Sequence, residues 1–196
     1  RIAEVLNRVI EKAWRGSAPA QINVPRDFWT QVIDIELPRV VRLERPSGGE
    51  GAIAEAAKLL SDAKFPVILN GAGVVLSGGI EASKQLAEQL DAPVCCNYQH
   101  NDAFPGSHPL AVGPLGYNGS KAAMQLIAKA DVLLALGTRL KPFTTLPSYG
   151  IDYWPKNAKI IQVDINADRI GLTKKVDVAI QGDARRVAEQ LFGPVP

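Results

Sequence analysis

Five short runs of almost unbroken apolar residues, separated by stretches with helical spacing, constrain this chain more than any other feature. The runs are Pro66-Val67-Ile68-Leu69, Pro93-Val94-Cys95-Cys96, Val132-Leu133-Leu134-Ala135-Leu136, Ile160-Ile161-Gln162-Val163 and Val176-Asp177-Val178-Ala179-Ile180. A strand with one wet face alternates apolar and polar residues, so strands that are apolar throughout need cover on both faces, which a parallel sheet flanked by helices provides. Between them lie apolar stripes at the spacing of a helix: Ile53, Ala56, Ala57 and Leu60; Ala82, Leu86 and Leu90; Ala123, Leu126, Ile127 and Ala130; Ala184, Val187, Ala188 and Leu191. From Gly51 the order is helix, strand, helix, strand, long loop, helix, strand, loop, strand, short helical turn, strand, helix. That alternation predicts an α/β fold, a doubly wound, Rossmann-like parallel sheet with helices on both faces.

The first 37 residues stand outside this rhythm. A helical stripe (Ile2, Val5, Leu6, Val9) runs through Gly16 into a strand expected at Ala20-Gln21-Ile22-Asn23-Val24 and stopped by Pro25. Residues 1–37 therefore read as the terminal helix and strand of another domain, 38–49 as a linker rich in Pro, Gly and Arg, and 50–196 as the α/β domain. The chain opens on Arg1 in mid-pattern, which suggests an excised fragment. The segment from Asn97 to Asn118 holds three prolines and three glycines and reads as a long, functional loop.

Composition excludes some classes of function. Lys plus Arg is 22 against 20 for Asp plus Glu, so there is no basic field for nucleic acid. No apolar run reaches the length of a membrane span, and the two adjacent cysteines point to opposite faces of a strand, where they can neither bond each other nor share a metal. A reducing cytoplasm is the expected location.

Candidate chemistry collects at the carboxyl ends of the expected strands. Asn70-Gly71-Ala72-Gly73 is a glycine-rich turn between strand and helix, where backbone amides can approach a phosphate. It departs from the dinucleotide pattern, whose third glycine would fall at Leu76 and whose acidic residue would stand at Asn97. A tight turn without ligand is the competing reading. Gly137-Thr138-Arg139, Asp164 and Gly182-Asp183 follow later strands, where an arginine and two carboxylates could grip a diphosphate and a ribose or adenine. Asp183 is equally placed to cap the helix from 184, and Asp164 to cap a turn at 166–170. His100 and His108 lack partners at metal-ligand spacing, so they read as loop polar residues, and no metal site is expected. Ser120 reads as the cap of the helix that follows it.

The order of these motifs resembles the thiamine-diphosphate (ThDP)-dependent enzymes of the acetolactate synthase superfamily. The residues that carry it are Ala18 to Asp27, Pro66 to Gly73, Ala92-Pro93-Val94, Phe104 to Pro109, Gly113 to Gly116, Ala130 to Leu140, Ile161 to Ile165 and Gly182-Asp183. The wording of Gln21 to Trp29 and of Asn97 to Phe104 looks most like the acetyltransferase branch that acts on sulfoacetaldehyde. The resemblance implies that residues 1–37 end a pyrimidine-binding ThDP domain and that 50–196 are the central domain. It implies that the parent uses ThDP and Mg2+, expels sulfite from sulfoacetaldehyde and passes an acetyl group to phosphate. The activating glutamate would lie before Arg1, and the Gly-Asp-Gly motif in a third domain, since Gly182-Asp183 is followed by Ala184.

On that reading this chain carries no catalytic residue, would be inert alone, and belongs to a homodimer or homotetramer with N- and C-terminal ThDP domains. Central domains of the superfamily hold FAD or ADP or are structural, and the residue match marks Gly71, Gly73, Gly116, Arg139, Asp164 and Asp183 as cofactor-binding candidates. The alternatives are an acetolactate synthase central domain binding FAD and, from another class, a stand-alone nucleotide-binding or sensor module.

Overall fold

The computed structural model describes residues 1–16, 18–39 and 44–193. The chain divides into two compact units, 1–44 and 45–196, a division that falls inside the expected linker. Linker residues 40–43 and the last three residues lie outside the described part.

In the first unit, helix α1 (Ile2–Gly16) carries Glu4 in its first turn and Arg15 in its last, the charge order that the helix dipole favours. Glu11 accepts hydrogen bonds from Asn7 and Arg15, each four residues away. None of its residues is buried, and the apolar stripe at Ile2, Val5 and Leu6 stays open to solvent. The strand expected at Ala20–Val24 does not form: residues 18–25 are irregular and lead into a 3-10 turn at Arg26–Phe28. A strand exists only through its neighbour's amides and carbonyls, and the described part of this unit has no second strand.

The second unit runs α2 (Glu50–Asp62), β1 (Pro66–Asn70), α3 (Ala72–Leu76), α4 (Ile80–Leu90), β2 (Val94–Asn97), β3 (Ala111–Leu115) and α5 (Lys121–Ile127). It continues through β4 (Val132–Leu136), α6 (Pro142–Thr145), β5 (Lys159–Asp164), β6 (Val178–Gln181) and α7 (Ala184–Phe192). The strands form one sheet in the order β3-β2-β1-β4-β5-β6, and every pairing is parallel. The expected doubly wound sheet is therefore present.

The apolar runs bury both faces. Ile68, Val94, Leu134 and Ile161 pack with α2, α4 and α7 on one side, while Leu69, Cys95, Leu133 and Ile160 meet α5 and Tyr153 on the other. Cys95 and Cys96 fall in opposite layers, and burial pushes the Cys96 thiol up to about 11 and the Cys95 thiol higher, which leaves both inert. Edge strand β6 is covered on one face only, so its exposure alternates.

Other parts of the chain also differ from expectation. The 97–118 loop contains a 3-10 turn at Asn101–Ala103 and strand β3, which reading from sequence misses because Gly113 and Pro114 punctuate it. Proline is tolerated there because β3 is an edge strand, and a register shift in its pairing with β2 between Val94 and Cys95 absorbs the irregularity. The last strand starts at Val178, two residues later than its apolar run, because Asp177 turns to Lys159 and to the amide of Ile160.

Polar staples fix the ends of strands. Burial works against the charge of Asp131, but its oxygens accept the amides of Lys64 and Phe65 ahead of β1, and such backbone bonds hold the carboxyl below the usual range. Fully buried Asn70 exchanges hydrogen bonds with Ser83 at 2.8 and 3.1 Å and donates to the Ala103 carbonyl. This ties β1, α4 and the 3-10 turn together. Ile68, fully buried between β2 and β4, tests the two-faced core: Ile68→Ala should lower unfolding stability by about 2–5 kcal/mol in urea titrations without changing the fold.

Candidate functional site

All six parallel strands end at one edge of the sheet, and in the order 3-2-1-4-5-6 the topological switch point lies between β1 and β4. That edge carries Gly71 and Gly73 after β1, Gly116 after β3, Arg139 beyond β4, Asp164 at the tip of β5 and Asp183 beyond β6. The candidates thus share an edge, but they do different work.

At the switch point the two turns touch backbone to backbone. Gly71 donates its amide to the Leu136 carbonyl at 3.0 Å, Gly73 donates to Gly137 at 2.9 Å, and Val74 donates back to Gly71 at 3.1 Å. A Cβ on Gly73 would stand 2.6 Å from the Gly137 Cα, and one on Gly137 would stand 2.7 Å from the Gly73 Cα. Glycine is required here by close approach, and at Gly137 also by a φ of +62°. Gly116, at φ +89°, plays a similar part against α6: a Cβ there would lie 2.0 Å from the Phe143 carbonyl oxygen.

Asp183 caps α7. One oxygen accepts the amides of Arg185 and Arg186, and the other pairs with Arg45 at 2.8 Å. The segment 45–48 is fastened to the same place, because Asp183 donates its amide to the Pro46 carbonyl and Ser47 bridges Gly182. The turn after β5 is capped by Asn166, which accepts the Asp168 amide, while Asp164 accepts the Asn166 amide at 2.9 Å. Ser120 caps α5 as expected.

Arg139 and Asp164 remain. Arg139 is exposed, whereas Asp164 is nearly buried, and burial raises its carboxyl against the opposing pull of the Asn166 amide, Arg169 and Arg139. The loop that presents Arg139 is held in left-handed backbone at Gly137 and, without the freedom of glycine, at fully buried Leu140 (φ +51°). Thr138 accepts the Leu140 amide, Gln162 donates to the Thr138 carbonyl, and Thr173 donates to the Leu140 carbonyl at 2.7 Å.

The sequence points to Thr138 only as part of a run and reads Asn97 only as a missing acid. In the structure the two side chains clasp each other: Asn97 Nδ2 donates to Thr138 Oγ1 at 3.0 Å, and that hydroxyl returns to Asn97 Oδ1 at 3.3 Å. The signal was a polar residue ending an otherwise apolar strand.

Sheet order, flanking helices and carboxyl-edge loops define a Rossmann-like α/β domain of the kind used in multidomain enzymes. The chain belongs to the thiamine pyrophosphate enzyme central-domain family, whose model matches residues 53–191. It is 75% identical over 192 residues to the sulfoacetaldehyde acetyltransferase of Roseovarius nubinhibens, covering 98% of this chain and 32% of that protein. With the acetolactate synthase large subunit of Corynebacterium glutamicum it shares 33% over 178 residues, 89% of this chain and 28% of that one. The chain therefore spans about a third of the length of the curated relatives it matches. The crystal structure of benzoylformate decarboxylase from Polynucleobacter necessarius superposes with a TM-score of 0.71 over 86% of this chain and 31% of its own, at 21% identity, which is a likeness of fold.

The residues present do not fit ThDP and its Mg2+. Among the described residues no three His, Cys, Asp or Glu side chains cluster to hold a metal, and both oxygens of Asp183 are engaged in the cap and the Arg45 pair. Among the described residues, no helix is long and apolar enough to cross a membrane.

Asp164 gives a pH-dependent test. A carboxyl raised by folding adds stability at pH below its unfolded value near 4 and loses that contribution as pH rises through the folded value. Asp164→Asn, whose side-chain oxygen can still accept the Asn166 amide, should gain in urea midpoint relative to the parent on going from about pH 3.5 to pH 7. A constant offset across that range would remove the role assigned to burial.

Proposed function

We propose that this chain is the central part of a ThDP-dependent acetyltransferase that converts sulfoacetaldehyde and phosphate to acetyl phosphate and sulfite. The gap between 75% identity to a sulfoacetaldehyde acetyltransferase and 33% to an acetolactate synthase supports the reading, because both values cover most of the chain. ThDP and Mg2+ belong to parts of the parent outside this chain, whose described residues provide no metal cluster and whose single Gly-Asp pair has its carboxylate engaged in a helix cap and an ion pair. The role of this domain is structural: its core is complete, and among the described residues every buried side-chain nitrogen and oxygen has a partner. The parent is cytoplasmic and works as a homodimer or homotetramer in which the N- and C-terminal ThDP domains carry the chemistry.

A second reading, an ADP or FAD group on this domain, draws on one observation: Arg139 offers an exposed guanidinium beside Asp164 at the carboxyl edge. The first reading leaves the purified parent without a flavin absorbance band.

The full-length protein, supplied with ThDP, Mg2+, sulfoacetaldehyde and phosphate, should release sulfite and form acetyl phosphate in equal amounts, whereas the 196-residue chain alone should release none. Acetolactate from pyruvate, with no sulfite from sulfoacetaldehyde, would transfer the assignment to the acetolactate synthases.

A further inference from the structure

In an open α/β sheet the crevice at the switch point receives a nucleotide because two things are available there: free amides at the start of the helix after β1, and space between the β1 and β4 turns. Here the space, and three of those amides, are taken up within the chain. The amides of Gly71, Gly73 and Val74 are bonded to Leu136, Gly137 and Gly71, so none of the three is left for a phosphate. The space above Gly71 is filled as well: a Cβ placed there would meet the Gly137 carbonyl oxygen at 2.5 Å, the Thr138 Cβ at 2.6 Å and the Asn97 Nδ2 at 2.9 Å.

The atoms that fill it are those of the clasp. Asn97 ends β2 and Thr138 follows β4, so their reciprocal hydrogen bonds cross over the end of β1, which lies between those strands in the sheet. Thr138 is 2% exposed, and its hydroxyl also accepts the amide of Leu140, the residue whose left-handed backbone completes the Arg139 loop. No buried side-chain nitrogen or oxygen among the described residues is left waiting for a ligand.

We propose that the Asn97–Thr138 clasp stands in for a ligand at the switch point: it closes the crevice to ADP, FAD and NAD and holds the strained Gly137–Leu140 loop in place. The clasp is a positioning device with no part in chemistry. Its consequence is that the glycine turn, which resembles a phosphate cradle in sequence, serves only to let two backbones meet, and that any nucleotide bound by the parent lies away from residues 71–74.

Amide hydrogen exchange of the full-length protein, followed at residues 71–74 and 137–140, tests this. In the parent protein, excess ADP, FAD or NAD should leave exchange in both segments unchanged. Asn97→Ala and Thr138→Val should each speed exchange in both segments by about tenfold or more, whereas Thr138→Ser, which keeps the hydroxyl, should exchange like the parent. If Asn97→Ala fails to fold, the contrast between Thr138→Val and Thr138→Ser decides. Slowed exchange at 71–74 on adding a nucleotide would overturn the proposal, as would parental exchange rates in Thr138→Val. Sulfite release is scored on the same samples: its absence would count against the proposed reaction and leave the crevice result standing.

Discussion

The contact between the turn after β1 and the turn after β4 is the constraint on which the second unit depends. Gly73 and Gly137 meet at a distance that admits no side chain, and the amides of Gly71 and Gly73 are spent on Leu136 and Gly137. A parallel sheet needs its strands close and its loops out of the way, and at the switch point the loops leave β1 and β4 side by side. Glycine lets them do so without separating the strands. The Asn97–Thr138 clasp, the left-handed Leu140 and the display of Arg139 are built on that contact.

Function divides along the same edge. Three of the six candidate residues are glycines that serve packing, and Asp183 serves as a helix cap and as the anchor for Arg45. Arg139 is exposed, whereas Asp164 is buried with its carboxyl raised and accepts the Asn166 amide in the turn after β5. A buried carboxylate kept without an ion-pair partner in hydrogen-bond range is expensive, and perturbed groups of this kind gather at functional sites.

Much of the fold was legible because burial on both faces leaves an uninterrupted apolar signature: β1, β2, β4 and β5 lie where their runs predict. β3 was hidden because an edge strand tolerates Gly113 and Pro114, residues that read as loop. The expected strand at Ala20–Val24 had the right composition and no partner, and pairing is a property of the neighbour as much as of the sequence. At the site, sequence located the edge because glycines, acids and an arginine follow apolar runs. It could not distinguish a glycine that faces a phosphate from one that faces another backbone, since that depends on Gly137, more than sixty residues away. The clasp was invisible for the same reason.

The most direct test of the central contact is the stability of Gly73→Ala. Alanine is otherwise a better helix residue than glycine, so on local propensity alone the change should be neutral or stabilising within α3. If the two turns meet as described, the added methyl must push against the Gly137 backbone, and urea unfolding should show a loss of about 2 kcal/mol or more. A variant as stable as the parent would show that β1 and β4 do not meet through these glycines, and the account of the closed switch point would fall with it.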